Sequence, residues 1–422
     1  MMWIGLILYC FFLYIRPGDW VPAVLGWPME FAVLGLITLT ASVQAYLVRG
    51  SDDTPKMVIP CLFLVGWLIA IGLSNATSGR LDLAFAFFIF YAKKALIAYA
   101  MWMAITTGKR LQAVVIAMVV LSGALGLQGI YQKSHGIGWA GQPMYWDNRI
   151  CWIGLWDGAN VLSLLFVTAV PFALELAIGS WNWLLRLAAV AAGGLMITGL
   201  VLAASRGAWL SLAVVLVMFF KRRIGRAGIV LGVLAFAGLL IVGPSRLSRS
   251  DERDSSSTNG RVSMWAEGLE MFKYNPVFGI GKGQFGPYTS KLIAHNAFVQ
   301  NMGETGTLGL FCWGGLIYLA YRSVRLVASA GPELDPKIAG LNEALYTSIT
   351  GYLAASMFIS TDFDLLYLVL GLCIGIVTVA RRDTGLPLFL TFDIGDARNL
   401  LLLVFAGVFC MYLITMYLSV TR

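Results

Sequence analysis

Two arginines and a histidine are the residues best suited to chemistry. His295 lies in IAHNAFVQNMGETG (293–306), beside Asn296 and upstream of Glu304, and is one of only 2 histidines in 422 residues. A neutral imidazole takes a proton from a hydroxyl near pH 7 without a large pKa shift. Arg206, in LAASRGAWLSL, sits between two apolar segments. A guanidinium at membrane depth faces a cavity or an anion, and its planar donor fork suits phosphate oxygens; the competing reading is an arginine snorkelling from a helical hairpin. Arg261 lies in STNGRVSMWAEGLEMF, where Val262, Trp265, Leu269 and Phe272 fit one helical face and Asn259 is placed to cap it. Arg261 then falls in the first turn, where the helix dipole disfavours a cation unless an anion is held there too; the alternative is a solvated loop arginine. Taken together, cations and one base suit transfer from a phosphorylated donor to a hydroxyl acceptor. The arginines hold the leaving phosphate and His295 deprotonates the attacking oxygen. Glu304 is either a second base or the group that orients His295, against a capping or packing role where the next apolar segment begins.

These residues need a scaffold, and the composition says which kind. The chain is 59% hydrophobic and 12% charged, about half the charge of a soluble domain. Apolar runs of about 20 residues recur from end to end. Lipid leaves no partner for free backbone groups, so the expectation is an all-α polytopic membrane protein with about 12–13 transmembrane helices and a partly helical outer loop. The opening MMWIGLILYCFFLYI has neither a basic leader nor a cleavage site after it, and reads as a retained first span. Cys10, Cys61, Cys151, Cys312, Cys373 and Cys410 are scattered and suggest neither a disulfide framework nor a metal knuckle.

The spans divide the chain into N-terminal helices (1–130), a first outer loop (131–158), central helices (159–243), a main outer loop with the chemistry-bearing segment (244–304), and C-terminal helices (305–422). With the N-terminus inside, the short inner loops hold most of the basic residues, among them Arg49, Lys56, Lys109, Arg110, Lys221, Arg222, Arg223, Arg381 and Arg382. The short outer loops hold Arg16, Arg80, Lys133, Arg149 and Arg206. The net charge of +8 therefore calls for inner-leaflet lipid, not nucleic acid. The long loop 244–304 is basic on the disfavoured side, through Arg246, Arg249, Arg253, Arg261, Lys273, Lys282 and Lys291, which asks for a ligand. Within it, SRSDERDSSST (248–258) reads as a flexible, solvated stretch.

Other candidates are weaker. NPVFGIGKGQFGPY (275–288) superficially resembles a dinucleotide loop, but no strand-turn-helix unit surrounds it; its glycines suit a tight backbone path close to a ligand or a helix. Asp362 and Asp364 form a D-x-D at an outer turn, a spacing that binds divalent metals but is common by chance. His135 packs against aromatic neighbours in the first outer loop. Lys93 and Lys94 lie inside a span, where they either meet a lipid phosphate or a carboxylate of another helix, or snorkel.

The C-terminal half resembles the O-antigen ligase and O-antigen polymerase superfamily. The resemblance rests on SRGAW (205–209), GRVSMWAEGLEMFKYNPVFGIGKGQF (260–285), HNAF (295–298) and GETGTLGL (303–310), in that order and spacing. LWDGANVLSLLF (155–166) is similar to a segment where the family often has Pro-Asn; here Ala159 replaces the proline before Asn160. The resemblance implies a metal-independent, inverting glycosyltransferase without a cofactor, in a bacterial inner membrane with its site on the periplasmic face. The donor would be a glycan on undecaprenyl pyrophosphate. The acceptor would be a sugar hydroxyl of lipid A-core in a ligase, or of another lipid-linked unit in a polymerase. Arg206 and Arg261 match the arginines expected to bind pyrophosphate and His295 the acceptor-activating histidine; Asn296 and Asn160 join the expected substrate-binding residues.

Two other classes compete. An anion transporter would use a basic outer vestibule, but no inverted repeat or paired broken helices are legible, and the polar residues gather at the interface instead of the midplane. A scaffold subunit of a polysaccharide export complex would need none of the three residues.

Overall fold

The computed structural model describes residues 2–47, 58–242, 252–290, 292–360 and 363–420, and the chain is an all-α bundle. In order the helices are α1 (Met2–Ile15), α2 (Met29–Leu47), α3 (Val58–Thr77), α4 (Leu81–Ala104), α5 (Gly108–His135), α6 (Ala159–Ile178), α7 (Trp183–Ala203), α8 (Arg206–Ile224), α9 (Arg226–Val242), α10 (Glu252–Tyr274), α11 (Phe285–Tyr288), α12 (Ala297–Ala328), α13 (Pro336–Ser356), α14 (Asp364–Thr384) and α15 (Ile394–Val420). Among the described residues, 8 helices are long and apolar enough to cross a membrane, namely α2 to α7, α14 and α15. The shorter or more polar α1, α8, α9, α12 and α13 pack alongside them. The protein is a multi-pass membrane protein.

Burial follows the lipid logic. α14 is apolar all round and buried from Leu365 to Ala380, which makes it the centre of the bundle. α2, α7 and α15 expose Leu36, Leu39, Val190, Leu402 and Phe409 on their outer faces, where acyl chains replace water. Small residues set the closest helix crossings: a Cβ on Gly126 of α5 would stand 2.5 Å from the Leu195 carbonyl oxygen of α7.

Three helices differ from the sequence expectation. α5 continues through Gln132–His135, because Thr107 caps its start, Lys133 and His135 complement the dipole of its last turn, and Gly136 terminates it in the left-handed region at φ 79°. α10 begins at Glu252, so residues 252–258 are helical instead of flexible. Asn259 therefore lies within the helix instead of capping it, and Arg261 lies in the helix interior instead of the first turn. α12 begins at Ala297, ahead of the expected 305, because Asn296 caps it. Residues 243–251, Lys291 and Asp362 lie outside the described residues, as do Arg49 and Lys56.

Apart from α10, which runs the same way as the start of α12, the long helices alternate direction, which gathers the turns at 16–28, 78–80, 136–158, 204–205 and 357–360 at one end with residues 292–296. The opposite end collects the arginine-rich turns. There Arg222 pairs with Glu343, Arg223 with Glu175 and Arg322 with Asp396, and Arg382 donates to the Thr106 carbonyl at 3.0 Å.

Candidate active site

Arg206 is the first residue of α8 and is exposed. The chain reverses between α7 and α8 in two residues, with Ala204 left-handed at φ 47° and Ser205 making no side-chain cap. Ala204 is a strained position for a side chain larger than glycine. The turn leaves the opening amides of α8 uncapped by Ser205 beside a guanidinium, an arrangement that favours an anion.

Arg261 is half-buried on α10. Four residues on, on the same helical face, the Trp265 indole donates to the Ala294 carbonyl at 3.0 Å. That bond ties α10 to the residue before His295. His295 is half-buried and left-handed at φ 49°, immediately ahead of the α12 cap. A left-handed non-glycine residue is held only where its neighbours over-determine it. Here Ala294 is anchored by Trp265, and the Asn296 amide oxygen accepts from the Phe298 and Val299 amides at 3.0 and 3.2 Å.

The electrostatics link the three side chains. Burial draws the His295 imidazole below its ordinary 6.5, and the nearby Arg261 charge pushes it further down. Arg261 is itself lowered, first by burial and then by Arg206. Arg261 thus stands within the field of Arg206 and His295 within that of Arg261, although the three come from different elements.

Beneath them lies a buried support. The α12 helix breaks at Gly306 (φ 61°, ψ −159°), and the NPVFGIG segment runs alongside the break. Thr307 and Leu308 amides donate to the Pro276 and Val277 carbonyls at 2.8 and 3.1 Å; Ile280 and Gly281 amides donate to the Gly303 and Glu304 carbonyls at 3.0 and 3.1 Å. The backbone groups freed by the kink are therefore satisfied by the glycine-rich segment. A Cβ on Gly306 would lie 2.5 Å from the Val277 carbonyl carbon, and one on Gly279 would lie 2.3 Å from that of Glu304. This is the close approach to a helix that the glycines of 275–288 suggested.

Glu304 belongs to this support. It is fully buried, forms an ion pair with Lys282 at 3.1 Å, and its other oxygen accepts from Gln300 at 3.2 Å and from the Phe285 amide at 3.3 Å. Lys282 also donates to Asn301 and stands over the rings of Trp67 and Tyr91. These contacts give Glu304 an anchoring role under α12 in place of the base expected from sequence. Asn296 is likewise fully buried with its oxygen committed to the cap, so it positions His295. Asn160 accepts from Arg149 at 2.7 Å, and the same guanidinium donates to the Ala203 carbonyl at 2.6 Å. Asn160 therefore reaches the Arg206 turn through Arg149, a residue the sequence reading counted only as a loop charge. Lys282 was missed as well: a lysine among glycines gives no sign that it will be buried against a carboxylate on the next helix.

The remaining candidates resolve simply. Asp364 pairs with Lys94 at 3.0 Å, the helix-to-helix carboxylate contact that was one reading of the intramembrane lysines, and Lys93 lies over the Phe31 ring at 4.6 Å. His135 stacks on Tyr131 with centroids 4.0 Å apart.

The fold and site together define a multi-pass membrane protein with two guanidinium groups and one imidazole gathered at one end of its bundle. Residues 191–314 match the O-antigen ligase family, a segment that holds Arg206, Arg261, His295 and Glu304. The resemblance drawn from the short motifs is thereby shown over that segment, and it supports glycosyltransferase-like activity of the O-antigen ligase or polymerase kind. No curated protein matches the chain.

Proposed function

We propose that the protein transfers a glycan from undecaprenyl pyrophosphate to a sugar hydroxyl, on the periplasmic side of a bacterial inner membrane, as an O-antigen ligase acting on lipid A-core. The observation that carries this reading is the placement of Arg206 at the start of α8, Arg261 on α10 and His295 ahead of α12 at one end of the bundle, with α10 tied to the residue before His295 by the Trp265 indole. Two guanidinium groups at this end suit the oxygens of a lipid-borne diphosphate. The acceptor hydroxyl gives its proton to His295 as its oxygen attacks the anomeric carbon. The bond from that carbon to the pyrophosphate oxygen breaks, its electron pair stays with the departing undecaprenyl pyrophosphate, and the configuration inverts. Arg206 and Arg261 stabilise the charge that grows on that leaving group. The lowered pKa of His295 keeps the imidazole neutral at pH 7, in its proton-accepting form.

The test is transfer by protein reconstituted with an undecaprenyl-pyrophosphate glycan and two competing acceptors, lipid A-core and a second lipid-linked unit. His295→Ala should lower transfer by about 10²–10⁴-fold with folded protein retained; undiminished transfer would remove the residue from the mechanism. Extension of the lipid-linked unit in preference to lipid A-core would make the protein a polymerase with the same donor chemistry, the second reading that the matched family supports.

A further inference from the structure

Residues 136–158 form a fixed loop with two unlike faces. Its inner face is anchored in the bundle: Trp152 and Trp156 are fully buried, and their indoles donate to the Tyr14 and Leu13 carbonyls, both at 3.1 Å. Gln132, at the end of α5, clamps it further, donating to the Pro143 carbonyl at 2.8 Å and accepting from the Cys151 amide at 2.9 Å. The outer face ends in a tight hairpin. Tyr145 and Arg149 pair antiparallel at 2.8 and 3.2 Å, leaving Trp146, Asp147 and Asn148 as the tip. Asp147 and Asn148 are both left-handed, at φ 59° and 58°, and Lys133 holds the tip by donating to the Asn148 carbonyl at 2.8 Å.

Trp146 contrasts with the anchoring tryptophans: it is 81% exposed and stacked nearly parallel on Tyr145, at 18° and 5.9 Å. An indole that neither fills the core nor hides from solvent, on a loop held this rigidly, has the form of a recognition group. Its neighbours narrow the ligand. An exposed aromatic face attracts the polarised C–H bonds of a pyranose, and the flanking Asn148 amide matches a hydroxyl at its edge. The location points the same way, because Arg149, at the base of the hairpin, donates to the carbonyl of Ala203 at the α7–α8 turn, directly before Arg206.

We infer that the Trp146–Asp147–Asn148 hairpin is a saccharide-binding tip that holds a pyranose of the transferred or receiving glycan beside the Arg206 turn. The inference rests on the glycan-transfer reading above and extends it to a residue that takes no part in bond making. The sugar has two sources, the donor glycan or the acceptor glycan, and the experiment separates them.

The experiment uses the full chain in proteoliposomes, with two diazirine-bearing probes: an oligosaccharide on polyprenyl pyrophosphate, and an acceptor oligosaccharide. Photolabelling is mapped by peptide mass, and transfer kinetics are measured for the wild type, Trp146→Ala and Trp146→Phe. One probe should label the segment around Trp146. Trp146→Ala should lose that label and raise the KM for the same substrate about tenfold, with kcat nearly unchanged, and Trp146→Phe should restore most of the loss. A donor effect identifies the transferred glycan and an acceptor effect the receiving one. If neither probe labels the hairpin, or Trp146→Ala alters only the amount of protein inserted, the tip is a membrane-interface anchor and the inference is overturned. Labelling at the hairpin by a wild-type protein that transfers nothing would instead overturn the glycan-transfer reading and leave the saccharide site standing.

Discussion

The two ends of the bundle share their way of holding arginines and differ in what they add to it. At the end away from the site, Arg222, Arg223 and Arg322 each meet a carboxylate within the protein, and Arg222 also covers the Tyr346 ring at 4.0 Å. At the site end Arg16 likewise pairs with Asp19 and Glu30 and Arg80 with Asp82, and each end also sets cation near cation, Arg382 by Arg110 at one and Arg206 by Arg261 at the other. What the site end adds is an imidazole: His295 lies half-buried in the field of Arg261. The comparison teaches that guanidinium groups alone do not mark a site; a proton acceptor beside them does, because it can serve a hydroxyl while they hold an anion.

The widest separation between the two ends should come from neutralising their arginines. Arg206→Gln and Arg261→Gln are each expected to lower kcat/KM for the lipid-linked donor by about 10²–10³-fold. Because both act on one leaving group, the double variant should lose less than the product of the two single losses, a non-additivity readable in a double-mutant cycle. Strictly multiplicative effects would separate the two arginines. Next in size is the support beneath the site. Lys282→Met leaves Glu304 buried without its cation and should lower stability by about 3–5 kcal/mol, measured by thermal unfolding in detergent. Lys282→Met combined with Glu304→Gln should recover much of that loss; equal destabilisation would show that the ion pair is not its cause. The smallest effect belongs to the other end. Arg222→Gln should cost about 1 kcal/mol or less, since its pair with Glu343 is partly solvated, and should leave donor kinetics unchanged. A large donor effect there would erase the contrast between the ends.

Much of this was legible in sequence where the signal is local. Apolar length marked the spans because lipid imposes it residue by residue, and α6 runs over the expected 159–178. Arg206 stood out as a cation between apolar segments, Arg261 as a cation at an expected helix start, and His295 as a rare imidazole outside the apolar runs. What escaped depends on partners distant in the chain. Glu304 looked like a catalytic carboxylate because sequence places it near His295, while its actual partner, Lys282, is brought to it by the packing of the glycine-rich segment along the Gly306 break. Asn296 and Asn160 were expected to bind substrate on the family resemblance alone; in the fold one caps α12 and the other accepts from Arg149. The helical start of α10 was hidden because serines favour turns and helix caps as readily as a helix end.

The convergence of Arg206, Arg261 and His295 is the claim on which the rest depends, and the scarcity of histidine makes it measurable. Histidine-selective NMR on the full chain should give two imidazole titrations, with His135→Gln assigning the one that belongs to His295. His295 is predicted to titrate below 6.5, to rise when Arg261 is replaced by Gln, and to rise again when undecaprenyl pyrophosphate is added to the wild type, because the bound diphosphate offsets the guanidinium charge. A His295 titration at its ordinary value, indifferent both to Arg261→Gln and to the pyrophosphate lipid, would contradict the shared site.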